Sequence, residues 1–141
     1  MTNLVIDASV AIKWVVGETG TDEALSLRRH NLHAPDLLVA ECANVLWKKV
    51  RRTELHPDEA SVAAQLLERA DLQLEPSRRL MRRATELAIA LDHPAYDCLY
   101  LVLADSLACD FVTADQRLQQ RAPAAGISIQ ALSLAEAAAL Q

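Results

Sequence analysis

Short apolar runs alternate along this chain with longer stretches in which apolar residues recur every three or four positions. Leu4-Val5-Ile6 and, later, Phe111-Val112 are runs of the kind found in buried parallel strands. The stretches between them have the spacing of helices that bury one face. Strands that alternate with helices predict right-handed crossovers and a mainly parallel sheet, so we expect an α/β fold with helices on both faces of a small sheet.

The boundaries of the elements follow from proline, from capping residues and from changes of period. The predicted strands cover residues 4–6, 32–35, 72–74, 110–113 and 127–129. The predicted helices cover residues 8–14, about 21–29, 36–48, 57 to about 70, 77–91, 94 to about 108, a short stretch after 115, and 132 onward. Asp36 and Ser77 are expected to be N-caps of their helices.

Length and composition limit the class of protein. A chain of 141 residues is expected to form one domain over residues 1–141. The chain has neither an apolar run long enough to span a bilayer nor a basic leader before the first strand, so we expect a cytoplasmic location. Cys42, Cys98 and Cys109 are odd in number and lie among aliphatic residues, which indicates reduced thiols in the core.

The net charge of −5 gives no general attraction to nucleic acid. The chain nevertheless has two local basic clusters, Lys48-Lys49-Val50-Arg51-Arg52 and Arg78-Arg79-Leu80-Met81-Arg82-Arg83. Such clusters either contact a phosphate backbone or form a solvated helix face, and the sequence leaves both possibilities open.

Four acidic residues lie beside or inside apolar stretches, where a carboxylate is poorly hydrated. Asp7 and Asp115 each follow a predicted strand directly, at the carboxyl edge of the sheet, where ligands gather in this fold class. Glu41 and Asp97 lie in the first turns of predicted helices, and Asp97 begins a helix that is apolar nearly all round. Grouped carboxylates repel one another and lose hydration, so the pattern predicts a site for a divalent cation.

Each acid also has a simpler interpretation. Asp7 and Asp115 could be N-caps only, and Glu41 could lie at a rim with its head in solvent. Asp97 is harder to explain this way, because aspartate has poor helix propensity and its sequence neighbourhood offers no evident partner. The four residues taken together favour the cation site.

Hydroxyl groups lie close to two of the acids in sequence. Ser9 is two residues after Asp7 and Thr113 is two residues before Asp115, so each hydroxyl could bond a carboxylate or simply cap a helix. Asp92 and His93 could border the same pocket, but a helix C-terminus and a loop explain them equally well. We therefore leave Asp92 and His93 outside the predicted site.

The ligand types indicate which cation is expected. Carboxylate oxygens without a histidine pair at metal-ligand spacing favour Mg²⁺ or Mn²⁺ over zinc. Such ions can activate a water, neutralise charge on phosphoryl oxygens and assist the departing oxygen. The composition of the site is therefore typical of phosphodiester hydrolysis.

Four segments carry a resemblance to a known family: Leu4-Val5-Ile6-Asp7-Ala8-Ser9, Pro35-x-Leu37-Leu38-x-x-Glu41-x-x-Asn44, Tyr96-Asp97-Cys98-Leu99-Tyr100-Leu101-Val102-Leu103-Ala104 and Phe111-Val112-Thr113-Ala114-Asp115-x-Arg117-Leu118. In this order and spacing they resemble the PIN-domain ribonucleases and, more narrowly, the VapC toxins of bacterial type II toxin–antitoxin systems. The resemblance covers essentially the whole chain. It implies a three-layer α/β/α fold and an endoribonuclease dependent on Mg²⁺ or Mn²⁺ that inhibits translation and growth.

The same resemblance implies roles for individual residues. Asp7, Glu41, Asp97 and Asp115 would be the acidic quartet that holds the metal, with Ser9 and Thr113 as supporting hydroxyls, while Asn44 matches a position that is often polar. It further implies a homodimer, a larger toxin–antitoxin assembly, and a VapB-type antitoxin whose C-terminal segment covers the active site. Trp14 and Trp47 are candidates for the groove that receives this segment.

Two other classes of protein are compatible with parts of the pattern. A phosphotransfer enzyme of the phosphatase or receiver type also has an aspartate after the first strand of a parallel sheet, but Asp7-x-Ser9 lacks the second aspartate usual in such phosphatases. A catalytically silent binding module could share the fold. The complete acidic quartet argues against this second alternative.

Overall fold

The sheet consists of five strands. The computed structural model describes residues 2–140. The strands are β1 (Asn3–Ile6), β2 (Asn31–Pro35), β3 (Gln73–Glu75), β4 (Asp110–Val112) and β5 (Ala131–Leu132). All neighbouring strands are parallel, in the order β3-β2-β1-β4-β5. The predicted parallel α/β architecture is therefore confirmed.

Eight α-helices connect and cover the strands: α1 (Ala8–Val15), α2 (Thr21–Ser26), α3 (Leu37–Arg51), α4 (Pro57–Glu68), α5 (Met81–Leu91), α6 (Ala95–Leu107), α7 (Gln116–Arg121) and α8 (Leu134–Ala138). The described residues also form short 3₁₀ turns at Leu27–Arg29, Ser77–Leu80 and Ala122–Ala125. Helix α1 packs with α2, α3 and α4, while α6 packs on β1, β2 and β4 with α5 against it. The result is a three-layer α/β/α arrangement.

The core lies between β1 and α6. Leu4, Val5 and Ile6 are fully buried, as expected for a central parallel strand. The ring centroids of Tyr100 on α6 and Phe111 on β4 lie 5.8 Å apart, at the distance of a favourable aromatic pair. Cys42 and Cys98 are buried and Cys109 is half-buried, so the cysteines lie in or beside the apolar core.

The order of the strands reverses direction at β1. The chain passes outward from β1 to β2 and β3, and then returns so that β4 pairs with the other side of β1. The connections that leave the carboxyl ends of β1 and β4 therefore diverge and open a crevice between them. Asp7 directly follows β1, and Thr113 directly follows β4, so both residues lie at this crevice.

The last strand does not lie where the sequence predicted it. Residues 127–129 were expected to form it, but β5 is Ala131–Leu132. Ile127 and Ile129 are only partly buried beside the core, which accounts for their alternating pattern. The register instead comes from backbone bonds of β4, in which Phe111 N donates to Gln130 O and Thr113 N donates to Leu132 O. Strand pairing thus overrides local periodicity here.

Asp36 and Ser77, the two residues predicted to be N-caps, bind each other. The hydroxyl of Ser77 donates to Asp36 Oδ1 at 2.6 Å, and the backbone N–H of Ser77 donates to the same atom at 3.1 Å. The Asp36 side chain makes no cap bond to α3, and Leu37 N in the first turn donates to Ser77 Oγ at 3.3 Å. Asp36 is the N-cap residue of α3, as predicted, although its side chain binds Ser77 across 41 residues of sequence and not the helix. Ser77 is not an N-cap, because it lies inside the 3₁₀ turn Ser77–Leu80, whose N-cap residue is Pro76, so that prediction is wrong.

Among residues 2–140, no single helix is long and apolar enough to cross a membrane. Only the two helical segments Ser77–Leu91 and Ala95–Leu107 taken together, across a bend of 117°, have the length and composition of a span.

Candidate active site

Asp7 is held at the carboxyl end of β1 by three donors. Its Oδ1 accepts hydrogen bonds from Ser9 Oγ and from Val10 N at 3.3 Å, and its Oδ2 accepts one from Thr113 Oγ1 at 2.5 Å. Asp7 is also the N-cap of α1. Only 7% of its surface is exposed. Capping alone requires no such burial, so the carboxylate is more enclosed than its structural role demands.

This enclosure changes the protonation of Asp7. Burial raises the pKa of its carboxyl group from 3.8 to about 6, because the charged form loses hydration. The bonds from Ser9, Thr113 and Val10 oppose this shift, and the negative charge of Glu41 adds to it. Burial therefore destabilises the charged form of Asp7 at pH values near neutral.

The hydroxyls of Ser9 and Thr113 tie the loop after β4 to Asp7. Ser9 Oγ accepts a hydrogen bond from Ala114 N at 2.9 Å, and Thr113 Oγ1 accepts one from Asp115 N at 3.0 Å. The two hydroxyl oxygens are 3.4 Å apart. Each hydroxyl thus accepts from the β4 loop and donates to the carboxylate after β1, which joins the two sides of the crevice.

Replacement of Thr113 by valine tests this connection. The change keeps the shape of a side chain that is 1% exposed but removes a hydroxyl that serves both Asp7 and Asp115 N. We expect a loss of ~1–3 kcal/mol in the free energy of unfolding, since a buried donor and acceptor lose their partner. Urea unfolding measures it, with Thr85→Val on the exposed face of α5 as a control. An unchanged free energy of unfolding would contradict the bridging role.

Glu41 lies in the second turn of α3, half-buried, and Tyr100 from α6 donates its hydroxyl to Glu41 Oε1. Burial raises the pKa of the Glu41 carboxyl group, and the charge of Asp97 raises it further, whereas the Tyr100 hydroxyl lowers it. The negative charge of Glu41 raises the pKa of Asp7, and the negative charge of Asp97 raises the pKa of Glu41. Three of the four predicted acids are therefore close enough to repel one another.

Asp97 lies in the first turn of α6 and has a partner that the sequence analysis did not identify. His93 Nε2 lies 2.7 Å from Asp97 Oδ2, and the two side chains are 17% and 31% exposed. The expectation that Asp97 has no partner in its sequence neighbourhood is wrong. The spacing of four residues was the available signal, but a loop separates His93 from the helix, so helical periodicity did not apply.

Asp115 lies at the N-terminus of α7 and is exposed. Its Oδ1 accepts hydrogen bonds from Arg117 N at 3.0 Å and from Leu118 N at 3.3 Å, which is the geometry of an N-cap. Its backbone N–H belongs to the Thr113 network, but its carboxylate does not join the buried group. Asn44, one turn beyond Glu41, is exposed on α3.

The surroundings of the four acids show whether they suit a divalent cation. Within residues 2–140, no lysine or arginine nitrogen lies within 4.0 Å of the carboxylates of Asp7, Glu41, Asp97 or Asp115. Nor do three or more acidic, histidine or cysteine groups of the described residues gather around one point. Carboxylate oxygens that no lysine or arginine neutralises fit a hard cation, and ligation by three or more of them at once requires their side chains to move closer together.

The basic clusters are largely engaged with acids or solvent. Arg82 pairs with Glu86 at 2.9 Å, and Arg83 pairs with Asp105 at 2.5 Å. Lys49 lies 3.5 Å from a carboxylate oxygen of Glu18. Arg82 and Arg83 therefore lie on a solvated helix face, whereas the Lys49 side chain is mostly covered.

The two tryptophans have different surroundings. Trp14 is partly buried and donates its indole N–H to Ala24 O at 2.8 Å, so it fastens α1 to α2. Trp47 is 53% exposed on α3, with the Arg51 guanidinium 5.4 Å from its ring centroid. The apolar groove between α3, α4 and the β3 edge is lined instead by other residues, among them Leu38, Cys42, Leu46, Leu67, Leu72 and Leu74.

Comparisons with known proteins identify relatives of this chain. The model of the PIN domain family matches residues 4–123. Ribonuclease VapC3 of Pyrobaculum aerophilum is 32% identical to this chain over 125 residues, which cover 86% of this chain and 95% of that protein. VapC ribonuclease Mb0985 of Mycobacterium bovis is 32% identical over 115 residues, which cover 82% of this chain and 87% of that protein.

A solved structure has the same architecture. The crystal structure of PAE2754 from Pyrobaculum aerophilum superposes with a TM-score of 0.69 over 99% of this chain and 98% of that one. The sequence identity between them is 20%, so this likeness concerns the fold alone.

Proposed function

The chain belongs to the PIN-domain family, among its VapC ribonucleases, and from this premise we propose that it is the toxin of a toxin–antitoxin pair, an endoribonuclease dependent on Mg²⁺ or Mn²⁺. Membership of this family sets aside the phosphotransfer alternative. A homodimer and the inhibition of translation and growth are further parts of this proposal, which follow from the same resemblance. A cytoplasmic location, expected from the sequence, is also part of it.

One observation carries the proposal: the buried carboxylate of Asp7 at the point where the strand order reverses. Its pKa is raised to about 6 by burial, and Glu41 adds repulsion without any lysine or arginine nearby among residues 2–140. Carboxylates with a pKa raised in this way cluster at functional sites, and a bound cation would compensate the buried charge. The oxygen-only donor set selects magnesium or manganese as that cation.

In the proposed mechanism, Asp7, Glu41, Asp97 and Asp115 would hold the cation, which when bound activates a water and neutralises charge on the RNA phosphate. Ser9 and Thr113 fix both oxygens of Asp7, so this carboxylate needs no reorientation. The Tyr100 hydroxyl on α6 restrains Glu41 on α3 through a hydrogen bond. A water that attacks the phosphorus in line would form a new P–O bond as the P–O3′ bond breaks and the 3′-oxygen takes up a proton, which would give a 5′-phosphate and a 3′-hydroxyl.

Cleavage of RNA by the purified chain tests the proposal. We expect hydrolysis of single-stranded RNA in Mg²⁺ or Mn²⁺, no hydrolysis after chelation, and recovery when Mn²⁺ is added back. Ligation-based mapping of the products identifies the 5′-phosphate. Hydrolysis that persists unchanged in chelator, or products with a 2′,3′-cyclic phosphate, would overturn the metal-dependent reaction. Failure of the folded protein to bind Mn²⁺ by calorimetry would favour a silent binding module.

The partner in this proposal is a VapB-type antitoxin. The groove between α3, α4 and the β3 edge has a cavity of about 480 Å³, and Val39 in its lining is 57% exposed. An apolar groove of this kind suits an extended or helical peptide segment. A small DNA-binding protein encoded by the neighbouring reading frame should co-purify with the chain and suppress its cleavage of RNA.

A further inference from the structure

His93 is the basic side chain that contacts one of the four acids within residues 2–140, through Nε2 and Asp97 Oδ2 at 2.7 Å. We propose that His93 is a positioning residue: its Nε2–H holds Asp97 Oδ2, so that Asp97 Oδ1 is presented to the cation. This inference rests on the proposed function, because it concerns the orientation of one of the acids assigned there.

The backbone fixes His93 independently of Asp97. Helix α5 ends with Asp92 in the left-handed conformation at φ 50°, and His93 N donates to Ala88 O at 3.1 Å. Pro94 follows, which restricts the next φ angle and begins α6. The turn between the two helices is thus closed by a helix cap on one side and a proline on the other, and His93 has little backbone freedom.

Capping does not account for the position of Asp97. An acid at the third position of a helix commonly accepts the backbone N–H of the N-cap residue, but the N-cap of α6 is Pro94, which has no N–H. The carboxylate therefore lacks its usual partner in the helix. The structure has His93 as its donor instead, so the pair has a purpose other than helix termination.

The pair still has access to solvent, with side chains that are partly exposed, so its contribution to the stability of the fold is modest. Asp97 lies close enough to Glu41 for its negative charge to raise the pKa of the Glu41 carboxyl group. Rotation of an aspartate carboxylate about its terminal bond is otherwise nearly free, and a donor on one oxygen removes that freedom. Donors that fix a ligand in this way commonly increase metal affinity.

Three variants of His93 test the inference. Glutamine can place its amide N–H₂ near the position of imidazole Nε2, whereas asparagine is too short and alanine has no donor. We expect His93→Ala and His93→Asn to weaken Mn²⁺ binding, measured by calorimetry, by about tenfold or more. His93→Gln should recover most of that affinity. In RNA cleavage, the weak binders should lose kcat at limiting Mn²⁺ while KM for RNA stays unchanged.

His56→Ala is the matched control. His56 also precedes a helix, and it caps α4 by accepting a hydrogen bond from Asp58 N at 3.3 Å. Its loss should lower Tm through the missing cap and leave Mn²⁺ affinity unchanged. This variant separates the effect of a general loss of stability from a specific loss of orientation at Asp97.

The metal-free protein gives a second readout. Nitrogen-detected NMR of the neutral imidazole should find the proton of His93 on Nε2, which donates to Asp97 Oδ2, and Asp97→Ala should abolish this preference. A proton on Nδ1, or Mn²⁺ affinity in His93→Ala equal to or above that of the wild type, would overturn the inference. If the wild type neither binds Mn²⁺ nor cuts RNA, the proposed function fails, and the NMR result still decides the role of His93.

Discussion

Replacement of Asp7 by asparagine is expected to abolish RNA cleavage while the fold is retained. Asparagine keeps the volume of the side chain, is as good an N-cap for α1 as aspartate, and can accept the hydrogen bond from Val10 N. It removes the negative charge that the proposed cation needs. Because such a cation supplies several kcal/mol of transition-state stabilisation, we expect the rate to fall by about a thousandfold or more.

The comparison uses initial rates on one RNA substrate at saturating Mg²⁺, with circular dichroism to confirm the fold. Asp97→Asn should lose activity in the same way. Asp71→Asn removes an equal charge from an exposed loop before β3 and should leave the rate unchanged. A folded Asp7→Asn protein that cuts RNA at the wild-type rate would defeat the assignment of Asp7, whatever the other variants do.

Local patterns were sufficient for the parts of the fold that local interactions determine. The apolar runs located β1 and β4, and proline with apolar spacing located α6, because burial of a strand or helix leaves a direct mark on its own sequence. The position of Asp7 after β1 followed from the same reasoning, since carboxyl ends of parallel strands meet at one edge. The bonds from Ser9 and Thr113 to Asp7 complete that geometry.

Features that depend on packing between segments could not be predicted from local sequence patterns. The register of β5 depends on its pairing with β4, and the bond between Asp36 and Ser77 depends on the parallel alignment of β2 with β3. The contact of His93 with Asp97 is short in sequence, but it depends on the angle between α5 and α6. Each of these features is a property of the packed fold, which periodicity does not describe.

The metal-free protein is expected to lose stability as pH rises from about 4 to about 7, chiefly through Asp7. Its pKa is about 6 in the folded protein against an ordinary value of 3.8, so the folded state binds more protons than the unfolded state in this interval. Stability contributed by the protonated form is therefore present below 3.8 and disappears as pH passes 6. At ~1.4 kcal/mol per pKa unit, the loss is ~3 kcal/mol at most.

Neighbouring groups affect this profile in opposite directions. The pKa of Glu41 is also raised by burial, so Glu41 adds to the loss of stability with rising pH. The pKa of Asp36 is lowered by its bonds from Ser77, so Asp36 contributes stability that is lost as pH falls. Asp36 is solvated, which weakens this opposing contribution. The total profile therefore mixes several groups, and a difference between two variants is needed to isolate Asp7.

Urea unfolding of the wild type and Asp7→Asn in chelator, at several pH values from about 4 to about 7.5, provides that difference. We expect the variant to be the more stable protein at neutral pH, by up to ~3 kcal/mol, and this advantage to vanish near pH 4, where Asp7 is protonated. Mn²⁺ at neutral pH should raise Tm of the wild type alone. If Asp7→Asn is instead the less stable protein at neutral pH, the bonds from Ser9, Thr113 and Val10 outweigh the burial of the charge, and Asp7 is chiefly a helix cap.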